Sequence, residues 1–477
     1  MMDNFDNIEL QNKLERVINL LRKYRLVEGL VQMQDSPRQE LIESVTQKQN
    51  LASLQKLIDT LHPADIAYIL ESLPLEDRLF LWKFVKVEND GEVLLEVSDA
   101  VRETLIADMG SNELVAAAEQ LDADEIADIA PNLPDDVIED VYRALPQEER
   151  EQLRAAMSYP EDSVGALMDF DIITIREDVR LEVVLRYLRF LGELPDHTDQ
   201  LFVVDRNELL QGVLMLNQLL VNDPETMVSN VMTKEGVKFH PHDNAQQATQ
   251  AFERYDLVSA SVVDADGKLL GRVTVNAVID FIRNKAESEA RNLAGLSEQE
   301  DLFAPIWKSV RNRWAWLAIN LVTAFIASRV IGLFEDSIEK LVALAALMPI
   351  VAGVGGNSGN QTITMIVRAL ALGQVSTENT VKLITKEIGV SLVNGFLWGG
   401  IVGLFTFLIY QNASLGLVMA LAMILNLLLA ALVGVIIPLT RKKLGRDPAI
   451  GSSVLITAVT DSGGFFIFLG LATLLLL

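Results

Sequence analysis

The chain of 477 residues is 50 % hydrophobic, yet it carries a formal net charge of −26, with most acidic residues ahead of an apolar C-terminal third. It has no cysteine, so disulfides and thiolate sites are excluded, and its four histidines have no partner at metal-ligand spacing on a helix, which argues against a zinc or imidazole-based site. The acidity argues against nucleic acid as a partner and is compatible with cations.

The first residues, MMDNFDNIEL, are acidic and amide-rich, so we expect no cleaved signal peptide and a cytosolic N-terminus. Segments such as LHPADIAYILESLP and DADEIADIAPNLP combine an acidic helix start, apolar residues at i, i+3 and i+4, and a Leu-Pro stop. Short helices of this kind bury their apolar faces by stacking on one another. Residues 1–157 are therefore predicted to form an all-α helical superhelix, with a plain helical bundle as the alternative.

Two similar β-rich segments follow, SVGALMDFDIITIREDV and VSNVMTKEGVKFHPHDN. Each precedes an amphipathic helix, predicted over Leu181–Leu191 and Ala245–Tyr255, then a strand ending in Val-Val-Asp and a second short strand. This α+β tandem repeat resembles a pair of CBS domains, over 158–222 and 223–274. The resemblance implies a regulatory sensor.

CBS pairs often bind adenosine nucleotides through a turn that places an Asp at the ribose hydroxyls. The second repeat has Ala277 at that position, and the first repeat has Met215 in place of the hydroxyl residue of the turn. We therefore expect no nucleotide on the CBS pair.

A long helix is predicted from Val275 to Leu293, and with the linker after it this region covers residues 275–313. The stretch WKSVRNRWAW in the linker is basic and aromatic, which is typical of an anchor at the level of the lipid headgroups. The remaining residues, 314–477, are predicted to form a membrane domain.

Five apolar stretches of this domain are long enough to cross a bilayer as helices. They are Trp314–Phe334, Leu341–Leu372, Ile388–Tyr410, Leu415–Leu439 and Ile450–Leu477. Positive residues recur on one side, as Lys308, Arg311 and Arg313 before the first span, Lys382 and Lys386 before the third, and RKKLGR after the fourth. These charges predict a multi-pass protein of the cell (inner) membrane with its N-terminus in the cytosol and its C-terminus outside.

The second span contains Pro349 and the segment GVGGNSGNQ, residues 353–361, where the helix is predicted to be interrupted. Unpaired backbone groups are costly in lipid, so such a break is expected to line a water-filled cavity or to pack against protein. Its freed carbonyls and Asn amides would be oxygen ligands for a cation. The alternative is a glycine-rich face for helix packing.

Asp461 lies near the middle of the last span, which contains no Lys or Arg. An ionisable residue at that depth costs at least about 2.5 kcal/mol and usually serves an ion pathway or a pair. With the oxygens of the second span it would form a hard-oxygen site, which suits Mg²⁺ or Ca²⁺ better than Zn²⁺ or Cu⁺. A protonated Asp461 bonded to a neighbouring Ser or Gly carbonyl is the alternative.

The segments MPIVAGVGGNSGNQTITMIVRALALGQ, residues 348–374, and DPAIGSSVLITAVTDSGGF, residues 447–465, resemble the MgtE family of magnesium channels. The order of helical N-domain, CBS pair, connecting plug helix and five-helix α transmembrane domain matches that family over almost the whole chain. The resemblance implies a homodimer in a lipid bilayer, a pore on its two-fold axis, and Mg²⁺ as transported ion and regulatory ligand. It also implies that the ion is held in the pore by Asp461, Asn360, Gly356, Gly353 and Thr364.

In that family, cytosolic Mg²⁺ binds acids between the CBS domains and the plug helix and closes the pore. Asp256, Asp280 and Glu289 match such acids and are the predicted regulatory ligands. Other family acids are replaced in this chain, by Ala277, Lys285, Ser288, Asn244 and Gln246. We therefore expect weaker or relocated Mg²⁺ sensing. The acidic run of residues 122–140 is either a second place for sensing or a solvated helix face.

Three functions stay open. The first is inward Mg²⁺ transport, which needs no ATP because two charges crossing 100 mV gain about 4.6 kcal/mol. No nucleotide-hydrolysis motif occurs, so the chain is not expected to be an enzyme. The alternatives are transport of another divalent cation such as Co²⁺, Mn²⁺ or Ca²⁺, and a membrane-anchored CBS sensor without flux.

Overall fold

A computed structural model describes residues 3–31, 37–296, 301–371, 375 and 379–477 of the chain. Its contacts form two compact units, Met1–Lys285 with Asp301–Ala304, and Ala286–Glu300 with Pro305–Leu477. Two features of the sequence prediction, the end of the second span at Leu372 and the motif residue Gln374, lie outside the described residues.

The first unit opens with two long helices followed by eight short ones. They are α1 (Asp3–Val31), α2 (Pro37–Ile58), α3 (Pro63–Glu71), α4 (Leu75–Trp82), α5 (Asp90–Glu96), α6 (Asp99–Ile106), α7 (Ser111–Ala118), α8 (Ala123–Ile129), α9 (Asp135–Ala144) and α10 (Gln147–Ala156). Proline precedes or begins several of them, because a helix tolerates it there and not further along. Their apolar faces meet in one continuous core that includes Leu70, Leu94 and Ile126. The all-α prediction for this region is confirmed.

Buried arginines tie successive short helices together. Arg78 on α4 donates from Nε to the carbonyl of Leu70 at 2.9 Å and from Nη2 to the carbonyl of Leu73 at 3.1 Å. Arg102 on α6 makes the same two bonds to the carbonyls eight and five residues before it. Carbonyls at a helix C-terminus lack intrahelical partners, so each guanidinium satisfies the end of the preceding helix.

The α+β part that follows contains seven strands and five helices among the described residues, and the last helix continues from the first unit into the second. They are β1 (Met168–Asp169), β2 (Thr174–Arg176), α11 (Leu181–Leu191), β3 (Gln200–Val204), β4 (Leu210–Met215), α12 (Leu216–Val221), α13 (Val228–Val231), β5 (Lys238–Phe239), α14 (Ala245–Tyr255), β6 (Ser259–Val263), β7 (Leu269–Thr274) and α15 (Val275–Ala294). Helices α11 and α14 have the predicted bounds, and α15 extends one residue past the predicted end.

The strands confirm the tandem repeat. In each repeat the first pair is parallel and the second antiparallel, as β2-β3-β4 and as β5-β6-β7, while β1 pairs with β7. Both repeats have a register shift at the Val-Val step. The aspartate that follows, Asp205 or Asp264, accepts two backbone N–H bonds within its own turn. Because the same irregularity occurs at the same position in both, the two repeats share one fold.

The second unit is helical after the end of α15. Its helices are α16 (Ile306–Gly332), α17 (Glu335–Lys340), α18 (Ala343–Ala371), α19 (Thr380–Tyr410), α20 (Ala413–Lys443) and α21 (Ser452–Leu476). Helices α16 and α19 begin before the predicted spans, at Ile306 and Thr380, because a helix continues past the apolar stretch into the headgroup layer. Within the described residues, α16, α19, α20 and α21 are long and apolar enough to cross a membrane.

Helix α18 corrects the prediction of a broken second span. It runs without interruption over 29 residues, about 43 Å, with Pro349 inside it. Its backbone N–H and C=O groups are therefore paired along the helix, apart from the carbonyl that Pro349 leaves without a donor. Lipid favours this outcome, since unpaired backbone costs more there than glycine costs in a helix. Helix α18 packs against α20 and α21, and the count of five spans stays a prediction.

Candidate ion-conducting site

One face of α18 is polar and exposed in the single chain. We call this face the α18 polar stripe: Gly353, Asn357, Asn360, Gln361 and Thr364. The spacing of three or four residues places its members in one row along the helix. Gly353, Asn357, Gln361 and Thr364 are exposed, and Asn360 is half-buried at the edge of the row. The stripe therefore extends over about three turns of a helix in the membrane unit and presents amide and hydroxyl groups along the last two of them.

Helix α21 places Asp461 beside α18. The hydroxyl of Ser453 donates to Oδ1 of Asn360 at 3.1 Å, which joins the two helices through polar groups. Further along the same contact, a Cβ atom on Gly356 would lie 3.7 Å from Oγ1 of Thr460. Asp461 follows Thr460 directly and is half-buried, and no ion pair among the described residues involves it. Asn360 and Gly356 thus lie at the contact with α21, and Asp461 lies next to Thr460 of that contact.

Two of the predicted ligands lie outside that contact. A Cβ atom on Gly353 would meet open space, and the hydroxyl of Thr364 donates back to the carbonyl of Asn360 at 2.9 Å. Both residues belong to the exposed stripe. The carbonyls of Gly353 and Gly356 accept helical hydrogen bonds, so the prediction that a break frees them is wrong.

The glycine-rich segment packs helices closely, as the alternative reading expected. A side chain on Gly359 would overlap Ile456 of α21, and one on Gly355 would overlap Asn426 of α20. Small residues let helix backbones approach in a membrane, where apolar burial gives little driving force. The segment therefore has two roles, with packing glycines on one face and polar amides on the other.

The stripe offers hard oxygen donors and one nearby carboxylate. Among the described residues, no group of three or more His, Cys, Asp or Glu side chains is arranged to hold a metal ion. Amide, hydroxyl and carboxylate oxygens suit Mg²⁺, which keeps several of its water ligands when it binds. This donor set fits contact with a hydrated ion better than full coordination of a bare one.

Of the predicted regulatory acids, Asp256 and Asp280 lie in the first unit and Glu289 lies in the second. Asp256 ends α14 in the left-handed conformation, with φ of 50°, and is exposed. Asp280 on α15 is exposed and lies 3.6 Å from the guanidinium of Arg283. Glu289 is half-buried near the end of α15. Lys285, predicted to stand where the family carries an acid, lies 3.2 Å from the carboxylate of Asp162.

A different set of acids converges in the first unit. Burial and then the charge of Asp169 raise the pKa of Asp124 to about 8. Burial, together with the charge of Asp280 on α15, raises the pKa of Asp128 to about 6, although Arg102 opposes the shift. The pKa of Asp122 is also raised, by burial and then by Asp171. Helix α8 of the helical domain thus brings acids close to acids of the CBS pair.

Sequence reasoning missed Asn357, Glu387 and Asn426. The predicted break in α18 interrupted the helical period, which would otherwise have placed Asn357 and Asn360 in one row. Glu387 on α19 is 4 % exposed, and its Oε2 accepts a 3.4 Å hydrogen bond from Thr362. Asn426 stood out as a lone amide in the apolar run LAMILNLLLAALVG, a signal that was available.

Comparison with known proteins agrees with this layout. Residues 348–471 match the MgtE family, described as divalent cation transporter, residues 61–162 match the MgtE intracellular N domain, and residues 228–284 match the CBS domain. The chain is 28 % identical over 423 residues to the magnesium transporter MgtE of Bacillus subtilis, which covers 89 % of this chain and 94 % of the relative. The chain thus resembles MgtE proteins in both its helical N-domain and its membrane domain. The MgtE of Thermus thermophilus is likewise 28 % identical over 448 residues, covering 91 % of this chain and 98 % of the relative.

Two solved structures of soluble domains align with part of this chain. The cytosolic domain of the Mg²⁺ channel MgtE in complex with ATP is 27 % identical, with a TM-score of 0.46, over 50 % of this chain and 98 % of that one. The soluble part of a magnesium transporter is 20 % identical, with a TM-score of 0.46, over 57 % of this chain and 99 % of that one. ATP is described for the first of these proteins, and the absence of nucleotide here stays a prediction.

Proposed function

We propose that two copies of this chain form a channel that passes Mg²⁺ into the cytosol through a pore lined by the α18 polar stripe and Asp461. The exposed stripe carries the proposal. A row of amides and hydroxyls has no favourable place against lipid, so it calls for a water-filled space or for protein. A pore shared with a second copy supplies that space.

Charge and donor chemistry support a divalent ion. Each copy contributes one carboxylate, Asp461, so two copies balance one Mg²⁺ and a single copy does not. The amide oxygens of Asn357 and Asn360 can accept hydrogen bonds from the waters of a hydrated ion, which avoids the cost of dehydrating Mg²⁺. A membrane potential of 100 mV, negative inside, drives the ion inward by about 4.6 kcal/mol.

The direction follows from the proposed orientation in the cell (inner) membrane, with the N-terminus in the cytosol and the C-terminus outside. Arg368 lies in the last turn of α18, and Arg441, Lys442 and Lys443 lie in the last turn of α20. Alternating passes put both ends on the side of Lys308 at the start of α16. This distribution agrees with positive residues on the cytosolic side.

A surface on the first CBS repeat supports the homodimer. Helix α11 exposes Val183, Tyr187, Phe190 and Leu191, whose spacing of i, i+4, i+7 and i+8 puts them on one face. Phe190 is 86 % exposed. A contiguous apolar face on a charged domain marks a contact with another protein surface, here proposed to be the second copy.

Regulation is proposed to rest on the acids of α8. Asp124 and Asp128 lie near Asp169 and Asp280, so these carboxyl groups repel one another across the helical domain and the CBS pair when they are ionised. Cytosolic Mg²⁺ would relieve that repulsion and favour the closed arrangement of these domains. Lys285 needs no ion for its contact with Asp162, which is the reason to expect weaker sensing around α15. Asp256 and Glu289 stay proposed regulatory ligands.

The test of the function is the pair Asp461→Asn and Asp461→Ala. We expect both variants to fail to support growth of a Mg²⁺-auxotrophic bacterium and to reduce Mg²⁺ flux into liposomes at least about tenfold, since each removes the pore charge. Asp336→Asn in the short helix α17 is the matched control and should keep wild-type flux. Full rescue by both Asp461 variants would contradict the pore role.

The same liposomes separate the alternatives. Transport of Co²⁺, Mn²⁺ or Ca²⁺ in preference to Mg²⁺ would assign the channel to another ion. A membrane-anchored CBS sensor would give no flux with any divalent cation, and it leaves the polar stripe without a purpose.

A further inference from the structure

Asn426 on α20 lies where α18, α20 and α21 meet. It is 1 % exposed, and its Nδ2 donates a 2.8 Å hydrogen bond to the carbonyl of Val351 on α18. Its Oδ1 is buried and has no hydrogen-bond partner among the described residues. A buried polar atom without a partner costs free energy. A leucine of similar size would fill the space without that cost, so packing alone does not explain the amide.

Two glycines on two other helices make room for this amide. A Cβ atom on Gly355 of α18 would overlap the Asn426 amide, and a Cβ atom on Gly464 of α21 would lie 2.7 Å from Nδ2. A side chain of α20 therefore reaches between α18 and α21 and touches both backbones. Neither neighbour can move toward the other without displacing it.

The contacts of Asn426 flank the proposed ion-binding residues. Val351 and Gly355 lie two residues on either side of Gly353, and Gly355 directly precedes Gly356. Gly464 lies three residues after Asp461, less than one turn along α21. The amide thus holds the α18 segment that carries the stripe and the α21 segment that carries Asp461 at a set separation.

We propose that Asn426 is a positioning residue for ion passage, which fixes the α18 polar stripe relative to Asp461 without touching the ion. The inference rests on the proposed channel function. The bond from Nδ2 to Val351 is the essential contact, because only a donor at this position can bind a backbone carbonyl. Loss of the donor would let α18 and α21 shift and would weaken ion binding in the pore.

The test compares Asn426→Leu with Asn426→Asp by Mg²⁺ flux into liposomes. Asn426→Leu should raise the half-saturating Mg²⁺ concentration about threefold to tenfold, since one interhelical hydrogen bond in a membrane contributes modestly. Asn426→Asp can donate to Val351 only when its carboxyl is protonated. Its flux relative to wild type should therefore be highest at acid pH and fall as pH rises, whereas Asn426→Leu should keep the wild-type pH profile.

Thr406→Val is the matched control, because Thr406 is a buried polar residue on α19, 2 % exposed and away from the stripe. Its half-saturating concentration should equal that of wild type. The pH comparison uses a single folded sample of Asn426→Asp, so it stays decisive even if Asn426→Leu does not fold.

Three results would overturn the positioning role. One is wild-type flux in both Asn426 variants at every pH, while Asp461→Asn is inactive, which leaves the channel standing. Another is a loss of flux that follows the loss of thermal stability in both variants at every pH, which would make the amide purely structural. The third is absence of flux in the wild-type protein, which would remove the channel function and the positioning role together.

Discussion

At the scale of single residues, Arg78 places a buried positive charge inside the helical domain. It is fully buried, and its Nη1 lies 2.6 Å from Oδ2 of Asp301, whose side chain is 6 % exposed. Asp301 lies in the chain between α15 and α16, 223 residues away from Arg78. The equivalent arginine, Arg102, instead pairs with the exposed Asp99 close in sequence. The pair therefore fastens the segment before the first membrane helix to α4.

Removing one partner of this pair should destabilise α4 strongly. Asp301→Asn leaves the Arg78 charge buried without a counter-charge, a change that costs about 3 kcal/mol. Backbone hydrogen exchange of α4 in the full chain should then accelerate about a hundredfold. The control is Glu139→Gln, which breaks an exposed pair with Arg143 and should change exchange of α9 little. Unchanged exchange in Asp301→Asn would show that Arg78 is satisfied by carbonyls alone.

The raised pKa of Asp124 predicts how the stability of the first unit depends on pH. Its pKa is raised to about 8, so between its ordinary value of 3.8 and about 8 the folded protein holds a proton that the unfolded chain releases. The contribution of this group to stability is therefore fully present below 3.8 and is lost as pH rises toward 8. Asp124→Asn should flatten this dependence and raise the thermal midpoint near pH 8. Asp136→Asn, an exposed acid of the same run, should leave it unchanged.

The same variant can test whether Mg²⁺ regulates the protein through the acids of α8. In the wild-type chain at pH 8, millimolar Mg²⁺ should restore the stability that deprotonation removes, and it should protect α15 from proteolysis. Asp124→Asn should respond less, because one of the repelling charges is gone. An equal Mg²⁺ response in both proteins would move cytosolic sensing away from α8.

At the scale of elements, an apolar substitution in the α18 polar stripe should reduce ion passage. Asn357→Leu places an apolar side chain in the middle of the stripe, where it would create a barrier to a hydrated ion. We expect Mg²⁺ flux to fall at least about tenfold with no loss of folded protein. Val393→Leu on α19, which is 69 % exposed, is the control for a larger apolar residue on a membrane helix and should conduct normally. Normal flux in Asn357→Leu would take the stripe out of the pore.

Local patterns predicted some elements well and α18 poorly, for a physical reason. Helices α11 and α14 have their expected bounds because the apolar period and the turn residues agree at both ends. In α18, Pro349 and the seven glycines and amides of residues 353–361 suggest a break by the propensities of helices in water. The membrane interior reverses that balance, since pairing of the backbone outweighs the propensity of each residue. A helical period continued through the glycines would have predicted the α18 polar stripe.

At the scale of the whole molecule, contacts between distant residues had no sequence signal. The bond from Asn426 to Val351 and the pair of Arg78 with Asp301 each join elements far apart in the chain. A single sequence gives the type of a residue and its local period, and pairing across 75 or 223 positions depends on packing. The order of domains and the acidic residue in the last span could be predicted from the sequence, because each depends only on the residues within one segment.

Assembly is the remaining requirement of the proposed channel, and α11 is where it can be tested. Phe190→Glu puts a charge in the middle of the apolar face of α11, so burying that face against a second copy would then also bury an unpaired carboxylate. The purified full chain should shift from dimer toward monomer, measured by light scattering in detergent, and its Mg²⁺ flux should fall with the dimer fraction. Val87→Glu, at a residue 58 % exposed in the helical domain, is the control and should stay dimeric. A dimer of unchanged stability in Phe190→Glu would place the contact elsewhere, and flux from a monomer would contradict a pore that needs two copies of Asp461.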